Sequence, residues 1–499
     1  MDFYRLLRIA SFTINQALCS TALALLIALP AAFFCARRQF AGRRFLLSLS
    51  AVPFCMPALI IALGYVTFLG LNGGLNRTLI ILFGFKEAPV KLLYSFAGLI
   101  IAQGFYNFPL IMKNVSDAWE RLPANQAESA RLLGAGEFRI FWTITIFQLL
   151  PSIVSSSMLV FIYCFLSFIL VLLFGGIGNS TLEVEIYKTA RSTLEYKYLI
   201  GLALFESIIL IIIITFYCLI EAKSAKKTKG LTDKIYIKRE KIRGWKEILF
   251  FFLTIFVILL FFIAPLLGII VNAFSSSRNG AVWPSLESFK RIIKIRAFWP
   301  SVKSTFLVGI SSAFLSTVFA FIYSCFLRLK ENKNPEKSFA VYKVIPMLPM
   351  AVSSVVLGVI ITRLVGRGNP LHLVFLQAFL NWPLAFRIIY LNLSKISDDT
   401  INSALLISKN RIDLIVRIIL PLSLKSLISS FGFTFSVSAG DTSLPLVLGI
   451  PKFNTLSLFT YGLASAYRFN EACASGLILG LICIITYSFA TLQKKNHKN

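Results

Sequence analysis

Residues 124–147 read ANQAESARLLGAGEFRIFWTITIF, and residues 400–421 read TINSALLISKNRIDLIVRIILP. Laid over each other at an offset of 274 residues, both begin polar, pass through small and apolar residues, break, and resume as an amphipathic stretch. The same offset holds well beyond them. Asn107-Phe108-Pro109 falls on Asn381-Trp382-Pro383, Ile144 on Ile418, Gly175 on Gly449, Thr181-Leu182 on Thr455-Leu456, and Tyr187 on Tyr461. Within the quoted stretches Ala130 falls on Ala404 and Leu132 on Leu406. One gapless offset kept over about 80 residues marks an internal repeat. The chain is a tandem duplication.

What the two halves are made of follows from the flanking sequence. Of 499 residues, 57% are hydrophobic and 14% charged, where a soluble globular chain carries about 25% charged residues. Apolar runs of about 20 residues, the length a bilayer requires, lie near 12–34, 48–70, 92–112, 148–173 and 198–220. Six more lie near 248–272, 303–327, 340–364, 371–391, 422–447 and 472–492. Hydrocarbon offers the backbone no water, so each run is expected to be a helix. The fold expected is all-α and integral to the membrane, with about eleven transmembrane helices in two tandem parallel repeats.

A net charge of +28 would suggest nucleic acid in a soluble protein. Here Lys and Arg concentrate in alternate short loops: Arg37, Arg38, Arg43 and Arg44, then Lys113, Arg121, Arg131 and Arg139, then the run from Lys223 to Lys246. The same side continues with Arg328, Lys330, Lys333 and Lys337, with Lys395, Lys409, Arg411 and Arg417, and with the tail Lys494, Lys495 and Lys498. That pattern sets membrane orientation, with this side and the C-terminus cytoplasmic and the N-terminus external. It predicts a multi-pass protein in contact with lipid and with no nucleic-acid partner. The eight Cys fall in or beside apolar runs without a CxxC pair, and there are only two His, so no metal site is expected.

The two quoted loops resemble the loop of binding-protein-dependent ABC import permeases, whose pattern is Glu-Ala-Ala, three residues, Gly, and a Pro thirteen positions on. The first copy has Glu128-Ser129-Ala130 and Gly134, with Phe147 where the Pro is expected; the second has Asn402-Ser403-Ala404 and Ser408, with Pro421 in its place. Within that family the chain is similar to the thiamine-import permease and to its ferric-iron relative. The stretch Phe174-Gly175-Gly176-Ile177-Gly178-Asn179-Ser180-Thr181-Leu182-Glu183-Val184-Glu185-Ile186-Tyr187 carries this likeness, as do Ala439-Gly440-Asp441, Asn454-Thr455-Leu456 through Tyr461, and Ala466-Tyr467-Arg468. The resemblance implies one further span before the run near 12–34, giving six per half, and the sequence of residues 1–499 begins after it.

The resemblance implies a type I ABC importer permease fold: a first permease domain over 11–222, a basic cytoplasmic linker over 223–247, an extra span and external loop over 248–300, and a second permease domain over 301–493. It implies an inner-membrane permease subunit that forms the path for a small solute, thiamine first and ferric iron as the alternative. The two loops would couple to two ATP-binding cassette subunits on the cytoplasmic side, and a substrate-binding protein would dock outside. ATP and Mg would belong to the partner, with no cofactor on this chain.

The residues agree on one exclusion. There is no G-x-x-x-x-G-K-[ST] loop to cradle ATP phosphates, so the chain is not expected to be an enzyme and no catalytic residue is assigned. A secondary active transporter with parallel repeats is the reading from a different class; it needs intramembrane carboxylates, of which Glu206 and Asp441 are the notable ones. For Glu206 an interhelical hydrogen bond is expected, since its repeat position holds Gly480. Candidate pathway or external-mouth residues are Asp441, Glu183, Glu185, Tyr187 and Tyr461. Glu471, Lys188, Arg191, Lys452 and Arg468 lie in the same region, and solvated or docking loop charges are the plain expectation for the charged members.

Overall fold

The long runs of Leu, Ile, Phe and Ala all form helices in the computed structural model, which describes residues 3–175, 180–192, 196–228, 239–278, 281–333 and 340–492. The first half supplies α1 (Phe3–Arg37), α2 (Ala58–Leu69), α3 (Phe96–Glu120), α4 (Ala124–Leu132), α5 (Ile146–Phe165), α6 (Leu182–Ser192) and α7 (Tyr196–Thr228). A connecting span, α8 (Trp245–Ala273), leads to the second half. That half comprises α9 (Phe298–Lys333), α10 (Pro370–Leu393), α11 (Asp398–Ile407), α12 (Leu420–Gly440), α13 (Leu456–Ser465) and α14 (Phe469–Leu492). Strand pairing among the described residues is confined to Arg38–Gln39 with Glu240–Lys241 and Ser275–Arg278 with Ala281–Pro284. Gly176, Ile177, Gly178 and Asn179 of the quoted family stretch, residues 229–238 of the linker, Lys337 and the tail lysines lie outside the described residues.

Among the described residues nine helices are long and apolar enough to cross a membrane, and one bent pair makes a tenth. The eleventh expected run is α3. It has 25 residues, about 37 Å of helix, but carries Gln103, Asn107, Lys113 and Asp117, so its polar side rather than its length sets it apart. Two expected spans are not single straight helices. The run near 48–70 passes through a 3₁₀ turn and a short helix before α2. The run near 340–364 bends by 75° between Tyr342–Ala351 and Ser354–Val365. Pro53 and Pro57 in the first, and Pro346 and Pro349 in the second, remove the donors a continuous helix needs.

Elements recur at the 274 offset. Glu137–Ile140 corresponds to Arg411–Leu414, a π-helical segment Phe141–Thr145 to another at Ile415–Ile419, and Ile169–Phe174 to Ser443–Leu448. The chain divides into two compact units. One holds Met1–Pro53, Gly64–Glu185 and Glu195–Ile269; the other holds Phe54–Leu63, Ile186–Leu194 and Ile270–Asn499.

Within each unit the same buried bonds tie the first helix to the rest. In the first, Thr13 Oγ1 donates to Ile9 O at 2.8 Å and accepts the Leu182 N–H at 3.0 Å. In the second, Thr305 Oγ1 donates to Ser301 O at 2.9 Å and accepts the Leu456 N–H at 2.7 Å. Each threonine therefore satisfies the orphan amide at the start of α6 or α13. Thr13 and Thr305 are 292 residues apart, as are Ser20 and Ser312, so the first helices keep a register of their own. The connecting span is held likewise. Pro265 cannot donate to the Phe261 carbonyl one turn back, and the buried Tyr65 hydroxyl donates to it instead, at 2.7 Å.

Replacing Thr13 or Thr305 by Val is expected to lower stability by about 1–3 kcal/mol each, because a buried backbone N–H loses its acceptor. Thr215→Val, at an exposed position where the hydroxyl bonds only to Ile211 O, should stay within about 0.5 kcal/mol. Chemical unfolding in detergent micelles measures all three.

Candidate functional site

Helix α4 ends on a glycine that the turn requires. Gly134 has φ of 81°, the left-handed region that suits glycine. Its N–H donates to Arg131 O at 2.9 Å, and the Ala135 N–H donates to Ala130 O at 3.0 Å. This six-to-one and five-to-two pair is the Schellman arrangement. Arg131 then clasps Glu137 through Nε at 2.6 Å and Nη2 at 3.1 Å, and burial of neither is deep. Glu128, Ser129 and Gly134 are exposed, and Ala130 is half-buried. Gln126 is hydrogen-bonded to Gln148 of α5.

The second loop reaches a similar shape by other means. Ser397 caps α11 by accepting the Thr400 N–H at 3.2 Å, and Asp398 and Asp399 lie in its first turn, where negative charge is favoured. Ser408 ends the helix in an extended conformation, its hydroxyl donating to Ala404 O at 2.7 Å. Asn410 caps the next turn by accepting the Asp413 N–H at 2.7 Å. Ala404 is buried in a cluster with Leu327, Phe386, Leu393 and Leu414. Asn402 and Ser403 are exposed. Asn332 Nδ2 donates to Asn402 Oδ1 at 2.7 Å, and Arg328 Nη2 reaches Ile396 O and Asp398 Oδ1, both at 2.6 Å. Pro421 is exposed near the start of α12. The π-helical segment before it has a twin before Phe147, so proline does not cause that widened turn.

Sequence reasoning missed most of the exposed apolar side chains on these loops. Leu132 and Leu133 are each 89% exposed, and their repeat positions Leu406 and Ile407 are 89% and 82% exposed. Phe138 and Ile412, also equivalent, are 79% and 72% exposed. Exposed apolar groups clustered this way mark an interaction surface. The signal was available as an apolar pair at the same offset in both copies, yet only Leu132 with Leu406 entered the repeat.

Of the expected mouth charges, Lys188, Arg191, Lys452 and Arg468 are exposed as expected, whereas the glutamates are not. Glu183 and Glu185 are buried, and Glu185 forms an ion pair with Arg5. Glu471 is buried and meets Arg468 at 3.2 Å. Tyr187 and Tyr461 fall in the same unit. The Arg191 guanidinium lies 5.1 Å from the Tyr187 ring and donates to Leu446 O at 3.1 Å. Burial pushes the Tyr187 phenol above its ordinary value, with Arg191 opposing and Tyr461 adding to the shift. Asp441 accepts Gln377 Nε2 at 3.2 Å and the Ser443 N–H at 2.9 Å. The interhelical hydrogen bond expected of Glu206 is not formed: it is fully buried on the packed stripe of α7, and among the described residues neither carboxylate oxygen has a hydrogen-bond partner. Among the described residues, no three of His, Cys, Asp and Glu come together as a metal site.

Behind Asp441 lies a polar network whose outline repeats. In the second unit Asn381 Nδ2 donates to Ser438 Oγ at 2.7 Å, Ser312 Oγ lies 2.8 Å from the same oxygen, and Gln377 Nε2 donates to Ser438 O at 3.2 Å. In the first, Asn107 Nδ2 donates to Gln103 O at 3.0 Å and lies 3.5 Å from Cys164 Sγ, and Ser20 Oγ donates to Gln103 Oε1 at 2.9 Å. The Asn, Gln and Cys/Ser positions are all related by 274 residues.

The sequence profile described as "binding-protein-dependent transport system inner membrane component" matches residues 28–230 and 329–496. A thiamine transport system permease protein of Brucella abortus is 26% identical, covering 98% of this chain and 88% of that protein. The one from Haemophilus influenzae is 25% identical over 96% of this chain and 87% of that protein. Among solved structures, a bacterial ABC transporter involved in alginate import aligns with 51% of this chain and 96% of that one, at 16% identity and a TM-score of 0.38.

A side chain at Gly134 would strain its left-handed backbone by about 1–2 kcal/mol. Gly134→Val is therefore expected to speed hydrogen exchange of the Gly134-position and Ala135 amides by about 5- to 30-fold. Gly136→Ala, at φ of −69° with open space around it, should leave those rates unchanged. Amide exchange read by mass spectrometry separates the two.

Proposed function

We infer, because the chain belongs to the family of binding-protein-dependent transport system inner membrane components, that it is the membrane subunit of an ATP-driven importer whose solute is thiamine. The carrying observation is the repeated docking face: two loops, one per repeat, each presenting an exposed apolar pair and a third apolar residue at equivalent positions. Two such faces on one chain suit two copies of one ATP-binding cassette subunit. Near full-length similarity to the thiamine permeases of two organisms supports the solute.

The permease domains are residues 11–222 and 301–493, joined by the basic linker 223–247 and the extra span and loop 248–300. The loops with Glu128, Ser129, Ala130 and Gly134, and with Asn402, Ser403, Ala404, Ser408 and Pro421, face the cytoplasm together with the C-terminus. The excess of Lys and Arg on that side supports this orientation. ATP and Mg bind the partner subunits, since the chain has no P-loop of its own. A solute-binding protein delivers thiamine at the opposite face. ATP binding draws the two loops together and turns the path outward, and hydrolysis resets it. The partner must therefore hold the loops more tightly in one state than in the other.

Reconstitution with the ATPase and the binding protein in proteoliposomes tests this directly. ATP-dependent thiamine uptake is expected. Uptake of ferric iron instead would move the chain to that branch of the family, and uptake driven by an ion gradient without ATP would overturn the importer reading. Gly134→Pro, Glu128→Lys and Leu132→Asp should each abolish the stimulation of ATP hydrolysis by loaded binding protein while the chain still inserts. Undiminished stimulation in all three would remove the first loop from the coupling path.

A further inference from the structure

The carboxylate of Asp441 is held by neutral donors alone. Its Oδ1 accepts the Ser443 N–H at 2.9 Å and its Oδ2 accepts Gln377 Nε2 at 3.2 Å. Among the described residues no Lys, Arg or His forms an ion pair with it. The carboxylate is also fixed in place. Gly440 packs so closely on Pro57 that a Cβ there would stand 2.8 Å from the Pro57 ring. The Ser457 hydroxyl donates to the Asp441 carbonyl at 2.7 Å.

The amide beside it adds a second acceptor. Gln377 Nε2 faces Ser438 O and Asp441 Oδ2, both of which can only accept. Its orientation is therefore determined, with Nε2 toward them and Oε1 the free acceptor of the amide. That oxygen is buried without a donor, on a residue only 2% exposed. The hydroxyl of Thr442, the next residue and 3% exposed, is likewise buried without a partner. Among the described residues the carboxylate therefore meets neutral donors but no positive charge, and one buried acceptor beside it, Gln377 Oε1, stands without a donor.

The other repeat shows that the backbone does not need this charge. Position 441 corresponds to Ser167, and the Ser167 N–H donates to Cys164 O at 3.3 Å just as the Asp441 N–H donates to Ser438 O at 3.3 Å. The same turn forms with a hydroxyl in one unit and a carboxylate in the other. The glutamine is reversed as well: Gln103 uses its Oε1 to accept from Ser20 and leaves its Nε2 without a partner.

We propose that Asp441 and the Gln377 amide oxygen form a binding subsite in the second unit for the positively charged, N–H-bearing part of the transported solute. The inference rests on the importer reading and deepens it. An organic cation brings the positive charge that the carboxylate lacks and an N–H for the Gln377 amide oxygen. Hard metal ions demand six or more oxygen ligands, and this site does not assemble that number. A delocalised organic cation, being weakly hydrated, gives up its water more readily than a compact one.

Equilibrium dialysis with the full-length chain in nanodiscs, without binding protein, tests the subsite. The probes are radiolabelled thiamine and its neutral thiophene analogue, in which carbon replaces the thiazolium nitrogen. The wild-type chain is expected to bind thiamine saturably and the neutral analogue about tenfold more weakly, as loss of one charge-assisted contact implies. Asp441→Asn should bind the two alike, at the weaker level, and Asp441→Glu should restore part of the preference. Equal affinity of the wild-type chain for both probes overturns the subsite without reference to any variant, as does an Asp441→Asn chain that keeps the full preference. Normal ATP-dependent uptake in proteoliposomes alongside either result leaves the importer reading standing and removes only this inference. Absence of both uptake and binding removes the importer reading itself.

Discussion

A backbone N–H in hydrocarbon has no water to fall back on, so every helix start and every broken turn inside the membrane needs a partner supplied by the chain. The buried side chains of this protein are placed to meet that demand. Thr13 and Thr305 each close the first amide of a helix far away in sequence. Tyr65 takes the carbonyl that Pro265 releases. Asn76, fully buried, donates to Gly70 O and Val90 O and accepts the Val90 N–H, so one side chain satisfies a loop crossing. Breaks in the helices are possible only because such residues stand beside them. Two carboxylates depart from this pattern among the described residues: Glu206 has no hydrogen bond and Asp441 no cation.

The same demand explains what could be read from the sequence and what could not. Hydropathy located every apolar run, since burial in lipid is a property of composition. It did not show that the runs near 48–70 and 340–364 are broken, because a broken span is equally apolar. Prolines at 53, 57, 346 and 349 carried that information. It also ranked α3 with the others, although α3 turns Gln103 and Asn107 inward and makes the polar contacts of its unit. The repeat was legible wherever a single register holds. The first helices follow at 292 rather than 274, so their equivalence appears only through the paired threonine and serine bonds.

Charge near the expected mouth was the least legible feature. A Glu in a short loop reads as solvated until the residue opposite it is known. Glu185 meets Arg5, which lies 180 positions earlier in the chain, and the pair is invisible to any local pattern. The exposed apolar residues fail in the opposite sense. Leu133 and Ile407 read as ordinary members of an amphipathic turn, and only the fold shows that their unit leaves them uncovered.

The two loops with exposed apolar faces put these strands together. Letter by letter they differ: Glu128 against Asn402, Gly134 against Ser408, Phe147 against Pro421. Their turns differ in mechanism too, a left-handed glycine with two backbone bonds in one and a serine hydroxyl with an asparagine cap in the other. Yet the helix before each turn, the short helix after it and the π-helical segment beyond fall at the same offset, and the same three positions stay uncovered. Chemistry that only closes a turn can be exchanged, because several residue types can cap a helix end. The displayed apolar face is kept at the same three positions in both copies, as the proposed pairing with two copies of one subunit requires. A motif whose letters are half lost in each copy can therefore keep its shape, and the shape is what a paired subunit would meet.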